Sequence, residues 1–64
     1  MSPQRMIDKL QKEWDEHPEY TKDGFADYVC EFVGENDEVG YLFENGEQVS
    51  VLDYVMNKIS FGRN

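Results

Sequence analysis

The sequence predicts a small single domain of the α+β class over residues 1–64, with the element order α-α-β-β-α. Three observations lead to this fold class. Apolar residues recur at helical spacing in residues 6–14 and again in residues 51–59. Between these two stripes, Asn45-Gly46 is the strongest short-range signal for a β-hairpin, because a type I′ turn requires positive φ at both central residues. A chain this short buries only about 60% of the surface that its unfolded form exposes, so its thin core needs dense aromatic packing or self-association.

The first helix is predicted at about residues 3–16. Ser2 is a favourable N-cap, and Pro3 suits the first helical position because an N–H there would have no partner in the helix. From Ile7 onward, apolar residues recur at i, i+3 and i+7, which places them on one helical face. Pro18 ends the helix, because the residue before a proline is pushed out of the helical region.

Residues 21–34, TKDGFADYVCEFVG, fit two alternatives. As a helix, the segment has apolar residues at i, i+3, i+4, i+7 and i+8 from Phe25, an N-cap at Thr21 or Asp23, and Gly34 at the C′ position. As a strand, its β-rich composition would give the order α-β-β-β-α with a three-stranded antiparallel sheet. We favour the helix, because the strand would place two acidic residues on the same face as three apolar ones.

The hairpin that Asn45-Gly46 predicts fixes the pairing of the residues around it. One face then carries Leu42, Val49 and Val51, and the other carries Val39, Tyr41 and Phe43. Since an isolated two-stranded hairpin is marginally stable in water, another element has to cover it. The predicted pairs are Tyr41 with Ser50, Leu42 with Val49, Phe43 with Gln48 and Glu44 with Glu47.

Two roles are open for the hairpin aromatics, Tyr41 and Phe43. Aromatic residues most often belong to the core, and the first helix would then lie over them through Trp14. Exposed aromatics inside a rim of acidic residues would instead have the anatomy of a binding hot spot.

The third helix is predicted to run from Ser50, its N-cap, to Ser60. Asp53 occupies the N3 position, and together with Ser50 it forms a pair that resembles a capping box. The apolar residues that follow form a helical stripe. Phe61-Gly62 closes this last element.

The net charge of −8 is distributed unevenly along the chain. Residues 13–53 hold thirteen acidic residues and one lysine, which gives a net charge of −12, whereas residues 1–12 and residues 54–64 each carry +2. Phosphate groups bind to proteins through lysine and arginine. We therefore expect neither direct nucleic-acid binding nor binding to an anionic membrane.

Composition and spacing argue against a cofactor, a metal site and enzymatic activity. Setting Gly40 at the glycine position of an EF-hand loop leaves Val39 and Gly46 where oxygen ligands are required. Cys30 could act as a nucleophile only with His17, the single histidine, and we expect this cysteine to be buried and inert among apolar neighbours. A single cysteine, with neither a signal peptide nor an apolar segment of membrane-spanning length, indicates a cytoplasmic protein.

The acidic middle of the chain is the candidate binding surface. On a helix, Asp23, Asp27 and Glu31 repeat every four residues and form a row of carboxylates. Like charges at this spacing destabilise a helix, so folding alone does not require them, and solubility is their alternative role. The residues predicted to bind a partner are Asp23, Asp27, Glu31, Glu35, Asp37, Glu38, Tyr41, Phe43, Glu44 and Glu47.

These features predict an acidic protein-binding module or inhibitor. Its carboxylates would imitate the phosphates of DNA and occlude a basic surface of a partner protein, such as a surface that holds nucleic acid. In size and acidity the chain is similar to small inhibitors encoded by bacteriophages, which include DNA mimics and anti-restriction or anti-CRISPR proteins. The alternative is a small structural or regulatory subunit that forms a homodimer or a larger homo-oligomer, and whose acidic residues serve only solubility.

Overall fold

The computed structural model describes residues 1–62 and contains three helices and one two-stranded antiparallel sheet. The order of these elements confirms the predicted α-α-β-β-α arrangement and the α+β class. Because residues 25–33 are helical, the alternative with three strands is wrong. The predicted domain also includes residues 63 and 64, which lie outside the described residues. The elements are α1 (Pro3–Glu16), α2 (Lys22–Asn36), β1 (Tyr41–Glu44), β2 (Glu47–Ser50) and α3 (Val51–Lys58).

α1 begins and ends where the sequence predicts. The Ser2 side chain accepts a hydrogen bond from the backbone N–H of Arg5 at 3.3 Å, which satisfies one of the donors that the first turn leaves free. The helix ends at Glu16, two residues before Pro18. Its buried residues are Met6, Ile7, Leu10 and Trp14.

α2 extends beyond its predicted end. Thr21 caps its start, since the side-chain oxygen accepts a hydrogen bond from the N–H of Gly24 at 3.1 Å. Gly34 lies inside the helix rather than at the C′ position, so that part of the prediction is wrong. In the last turn, the side-chain amide of Asn36 donates a hydrogen bond to the carbonyl of Phe32 at 2.8 Å, and the backbone N–H of Asp37 donates to the carbonyl of Val33 at 2.8 Å. The bond from Asp37 satisfies one of the four carbonyls that the end of a helix leaves without an intrahelical partner.

β1 and β2 pair antiparallel in the register expected from the sequence, with Leu42 opposite Val49. Asn45 and Gly46 lie between the strands with positive φ values of 54° and 81°, a conformation that is strained for most residue types. Leu42 and Val49 are partly buried. α3 follows β2 directly and packs against this face of the sheet.

Tyr41 and Phe43 lie on the opposite face of the sheet and are 49% and 67% exposed. The expectation that α1 covers them through Trp14 is wrong. The Trp14 ring instead contacts Phe25 and Phe61, at 5.2 and 5.3 Å between ring centroids. The sheet keeps one face exposed because α1 packs against α2 and α3.

α3 begins as predicted and ends earlier than predicted. The Ser50 hydroxyl accepts a hydrogen bond from the N–H of Asp53 at 3.0 Å. The helix ends at Lys58 rather than at Ser60. Gln11 of α1 explains this difference, because its side-chain amide donates to the Ser60 carbonyl at 3.0 Å and accepts from the Ser60 N–H at 2.7 Å. The backbone of Ser60 is therefore bonded to α1.

The core lies among the three helices, and within the described residues it contains no buried polar side chain. On α2, the buried residues recur every four positions along one face. That packing leaves the opposite face of α2 exposed to solvent. The buried residues are Met6, Ile7, Leu10, Trp14, Phe25, Val29, Val33, Val51, Val55 and Ile59.

Candidate functional site

The exposed face of α2 carries a row of four carboxylates, here named the acidic ridge: Asp23, Asp27, Glu31 and Glu35. A spacing of four residues places successive members about 6 Å apart along the helix axis, and the whole row spans about 18 Å. The row is longer than the sequence predicts. Glu35 joins it because α2 continues to Asn36.

The charges of the acidic ridge are uncompensated within the described part of the chain. All four side chains are exposed, and none of them has an ion-pair or hydrogen-bond partner among residues 1–62. Asp23 lies in the first turn, where the helix dipole favours a negative charge. Each neighbouring pair along the ridge destabilises the helix by about 0.2–0.5 kcal/mol.

Three other predicted site residues are bound within the fold. Asp37 accepts a hydrogen bond at 3.2 Å from the backbone N–H two residues further on. Glu38 lies 3.8 Å from the N-terminal ammonium group, and Glu44 lies 3.6 Å from the ammonium group of Lys58. Ion pairs between exposed side chains contribute little to stability, so both glutamates stay available to a partner. Glu47 is exposed and lies opposite Glu44 in the sheet.

Tyr41 and Phe43 form an aromatic pair on the uncovered face of the sheet. Their ring centroids are 5.9 Å apart, and the ring planes are nearly perpendicular at 89°. Val39, shortly before β1, is 66% exposed. We name these three residues the sheet patch. Exposed apolar residues that lie close together are a candidate interaction surface.

The structure also forms a groove that the sequence does not predict, here named the aromatic groove. It lies at the start of α2 and has a volume of about 340 Å³. The Phe25 ring contacts the rings of Tyr20 and Tyr28, with 5.4 Å between centroids in each case. Tyr20 belongs to the loop before α2, so no periodicity connects it with Tyr28. The lining residues are Glu19, Tyr20, Thr21, Gly24, Phe25 and Tyr28.

A cluster of charged and aromatic side chains holds the loop beside this groove. The two ring nitrogens of His17 lie 3.3 Å from Glu13 and 3.0 Å from Glu19. The hydrogen bond with Glu19 raises the pKa of His17 above its usual value of 6.5; desolvation opposes this effect, and the negative charge of Glu13 adds to it. The Tyr20 hydroxyl donates a hydrogen bond to Glu13 at 3.2 Å. Desolvation first, and then this hydrogen bond, raise the pKa of Tyr20.

Cys30 is exposed, so the expectation of a buried cysteine is wrong. It follows Val29 on α2, and one residue corresponds to about 100° of rotation around the helix, which turns its side chain away from the core. Among the described residues, no group of three or more His, Cys, Asp or Glu side chains is placed to hold a metal ion. None of the helices in this part of the chain is long and apolar enough to cross a bilayer.

No family model, curated protein or solved structure matches this chain. Three surfaces of the described chain are candidates for contact with other molecules: the acidic ridge, the sheet patch and the aromatic groove.

Proposed function

We propose that this protein is an acidic protein-binding module that inhibits a partner protein by occluding a basic surface, such as a surface that holds nucleic acid. The observation that carries this proposal is the acidic ridge. Its carboxylates are exposed, regularly spaced and without ion-pair partners within residues 1–62. They also weaken the helix on which they lie. Side chains that oppose folding in this way are expected at functional sites.

The chemistry of the ridge suits lysine and arginine on the partner. Each carboxylate offers two oxygens, which accept a pair of hydrogen bonds from an arginine guanidinium group. The negative potential of residues 13–53 would accelerate the encounter with a basic surface, and this attraction would weaken as salt is added.

The spacing of the ridge limits how closely it imitates DNA. B-form DNA presents one phosphate per about 3.4 Å along each strand and one charge per about 1.7 Å for both strands together. The ridge presents one charge per about 6 Å, a little over half the density of one strand. It therefore resembles a short part of a single strand, which fits a partner surface with a few well-placed basic residues. Asp37 and Glu38 continue the acidic sequence just after α2.

The sheet patch supplies the apolar component of the proposed interface. Buried aromatic side chains contribute most of the affinity at protein interfaces, whereas charged residues at the rim mainly set the association rate and the specificity. Tyr41 and Phe43 would take the first role and the acidic residues the second. We place the protein in the cytoplasm, where a single exposed cysteine stays reduced.

Affinity capture with the tagged protein, followed by elution between roughly 50 mM and roughly 1 M salt, tests this proposal. The ridge variant Asp27→Lys/Glu31→Lys is compared with Asp8→Lys/Asp15→Lys, which changes the net charge equally on exposed positions of α1. We expect the wild type and the α1 variant to retain a basic, nucleic-acid-binding protein that the ridge variant loses.

Occlusion has a second readout in the same experiment. Adding the wild-type protein should displace a labelled oligonucleotide from the captured partner, which fluorescence anisotropy measures. Equal retention of the partner by all three proteins would show that the ridge is not the binding surface. A partner that keeps its oligonucleotide in the complex would contradict occlusion.

The sheet patch favours a second candidate function, that of a homo-oligomeric subunit. Val39, Tyr41 and Phe43 would pack against the same residues of a second copy across a two-fold axis, and the acidic residues would serve solubility. The net charge of −8 opposes the approach of two copies, so we place this function second. A stable dimer in sedimentation experiments, insensitive to salt and dissociated by Phe43→Ser, would support it over occlusion.

A further inference from the structure

We propose that the aromatic groove binds the guanidinium group of an arginine side chain on the basic partner. The identity of that partner rests on the proposed function, whereas the groove is a separate observation on a different surface of the chain. None of its lining residues belongs to the sites predicted from the sequence.

The groove is large enough to hold one side chain of a partner. Its volume of about 340 Å³ lies near the lower end of the range of roughly 300–1,000 Å³ for ligand pockets. Phe25, which is 2% exposed, forms the floor, and Tyr28, which is 42% exposed, is accessible from solvent. The Tyr20 ring is stacked on His17, with 4.9 Å between ring centroids, so the exposed ring of Tyr28 supplies the main aromatic face for a ligand. A planar guanidinium group stacks on such aromatic faces better than an ammonium group does.

The charge of the lining favours a cation. Glu19 is the one charged residue that lines the groove. Its carboxylate lies 3.0 Å from His17, and a guanidinium group in the groove would share this carboxylate with the histidine. Glu13 does not line the groove; it accepts the hydrogen bond from the Tyr20 hydroxyl and lies 3.3 Å from His17, so that it holds the Tyr20 side of the groove in place.

A neighbouring groove is less suited to the same ligand. It has a volume of about 360 Å³ and shares Tyr28 with the aromatic groove. There, Glu13 and Glu16 are balanced by Lys9 and Lys12, which also line it. A cationic ligand would meet two positive charges in that groove and none among the residues that line the aromatic groove.

The position of the groove at the start of α2 does not make it an anion site. The N-terminus of a helix attracts anions through its free N–H groups and its dipole. Here the N–H of Gly24 already donates a hydrogen bond to Thr21, and Asp23 in the first turn offsets the dipole. An anion would in addition be repelled by Glu19.

An NMR titration of the full chain with N-acetylarginine amide tests the groove directly. N-acetylcitrulline amide, which has nearly the same shape but no charge, is the control ligand. We expect saturable shifts of the amide signals of Tyr20, Gly24 and Tyr28 with the arginine compound only. Tyr28→Leu keeps an apolar side chain but removes the aromatic face, and should weaken binding about fivefold. Phe43→Leu, the same type of change on the sheet patch, should leave binding unchanged.

Several results would overturn the proposal. These are amide chemical-shift changes spread over all acidic residues without saturation, equal chemical-shift changes with the citrulline compound, or equal affinity of the wild type and Tyr28→Leu for the arginine compound.

Partner capture separates this proposal from the proposed function. If Tyr28→Leu retains the partner as tightly as the wild type while the ridge variant loses it, occlusion stands and the arginine contact fails. If the arginine compound binds but reversal of the ridge charges leaves partner capture unchanged, the groove stands as a guanidinium site and the ridge is not the binding surface.

Discussion

Reversing one charge in the middle of the acidic ridge should stabilise the fold. Asp27 lies four residues before Glu31, and Glu35 lies four residues after it, so Glu31→Lys converts two like-charge contacts into two opposite-charge contacts. Each repulsion removed and each attraction gained changes the stability of a helix by about 0.2–0.5 kcal/mol. The four changes together give about 1–2 kcal/mol at low salt. For a domain of this size, each kcal/mol raises the melting temperature by roughly 4–8 °C.

Urea unfolding followed by tryptophan fluorescence measures this gain. Trp14 is the single tryptophan and is 2% exposed, so its emission should change when the core opens. Asp8→Lys is the matched control, because it changes the net charge equally. Asp8 lies three residues after Arg5 and four before Lys12, so this variant should lose stability by the same mechanism.

Salt separates the electrostatic explanation from others. At about 1 M salt the Debye length is only about 3 Å, so the gain from Glu31→Lys should fall to a small fraction of its low-salt value. A gain that persists at high salt would refute the proposed origin in like-charge repulsion. An equal gain from Asp8→Lys would refute it as well, because the net charge and not the ridge would then be the cause.

Three further predictions concern the core, a cap and the histidine. Phe25→Ala should lower the free energy of unfolding by about 3–5 kcal/mol and so unfold a domain this small. Phe43→Ala should change it by less than about 0.5 kcal/mol. Circular dichroism measures both variants, and a similar loss of helical signal in the two would contradict the observed burial of Phe25 and exposure of Phe43. Ser50→Ala should lower the free energy of unfolding in urea by about 1 kcal/mol, whereas Ser50→Asp should be close to the wild type. An alanine variant as stable as the wild type would show that the cap contributes nothing. The hydrogen bond with Glu19 raises the pKa of His17, so the protonated imidazole stabilises the fold. This stabilisation is fully present below the unfolded-state pKa of about 6.5. It is lost as the pH rises through the higher folded-state pKa. NMR titration of the ring should give a pKa above 6.5, and His17→Gln should remove this part of the pH dependence.

The helix starts could be predicted because their signals are local. Ser2, Thr21 and Ser50 each accept a hydrogen bond from the backbone N–H three residues further on. Such a contact involves one short segment of chain and is nearly independent of what packs against it. The periodicity of the apolar residues is equally local, which is why the order of the elements follows from it.

The helix ends and the exposure of individual side chains could not be predicted, because they depend on distant segments. α3 ends at Lys58 because Gln11, far away in the sequence, binds the backbone of Ser60. The exposure of Phe43 depends on which face of the sheet α3 covers. The acidic ridge was predicted up to Glu31, and its fourth member, Glu35, joins it because α2 continues to Asn36.

The sequence of α2 places its buried residues and the acidic ridge, which is the proposed binding surface, on opposite faces of the helix. Its buried residues, which begin at Phe25, and its ridge residues, which begin at Asp23, both recur every four positions, and the two series are offset by two residues. Two residues correspond to about 200° of rotation around the helix, so the ridge faces directly away from the core. Solubility alone would be served by acidic and basic residues interspersed on this face, yet Lys22 is the only basic residue of α2 and lies at its first position. Because no core contact constrains the ridge, its charges can be reversed without opening the core. The loss of partner binding in such a variant would therefore report on the interface and not on the fold.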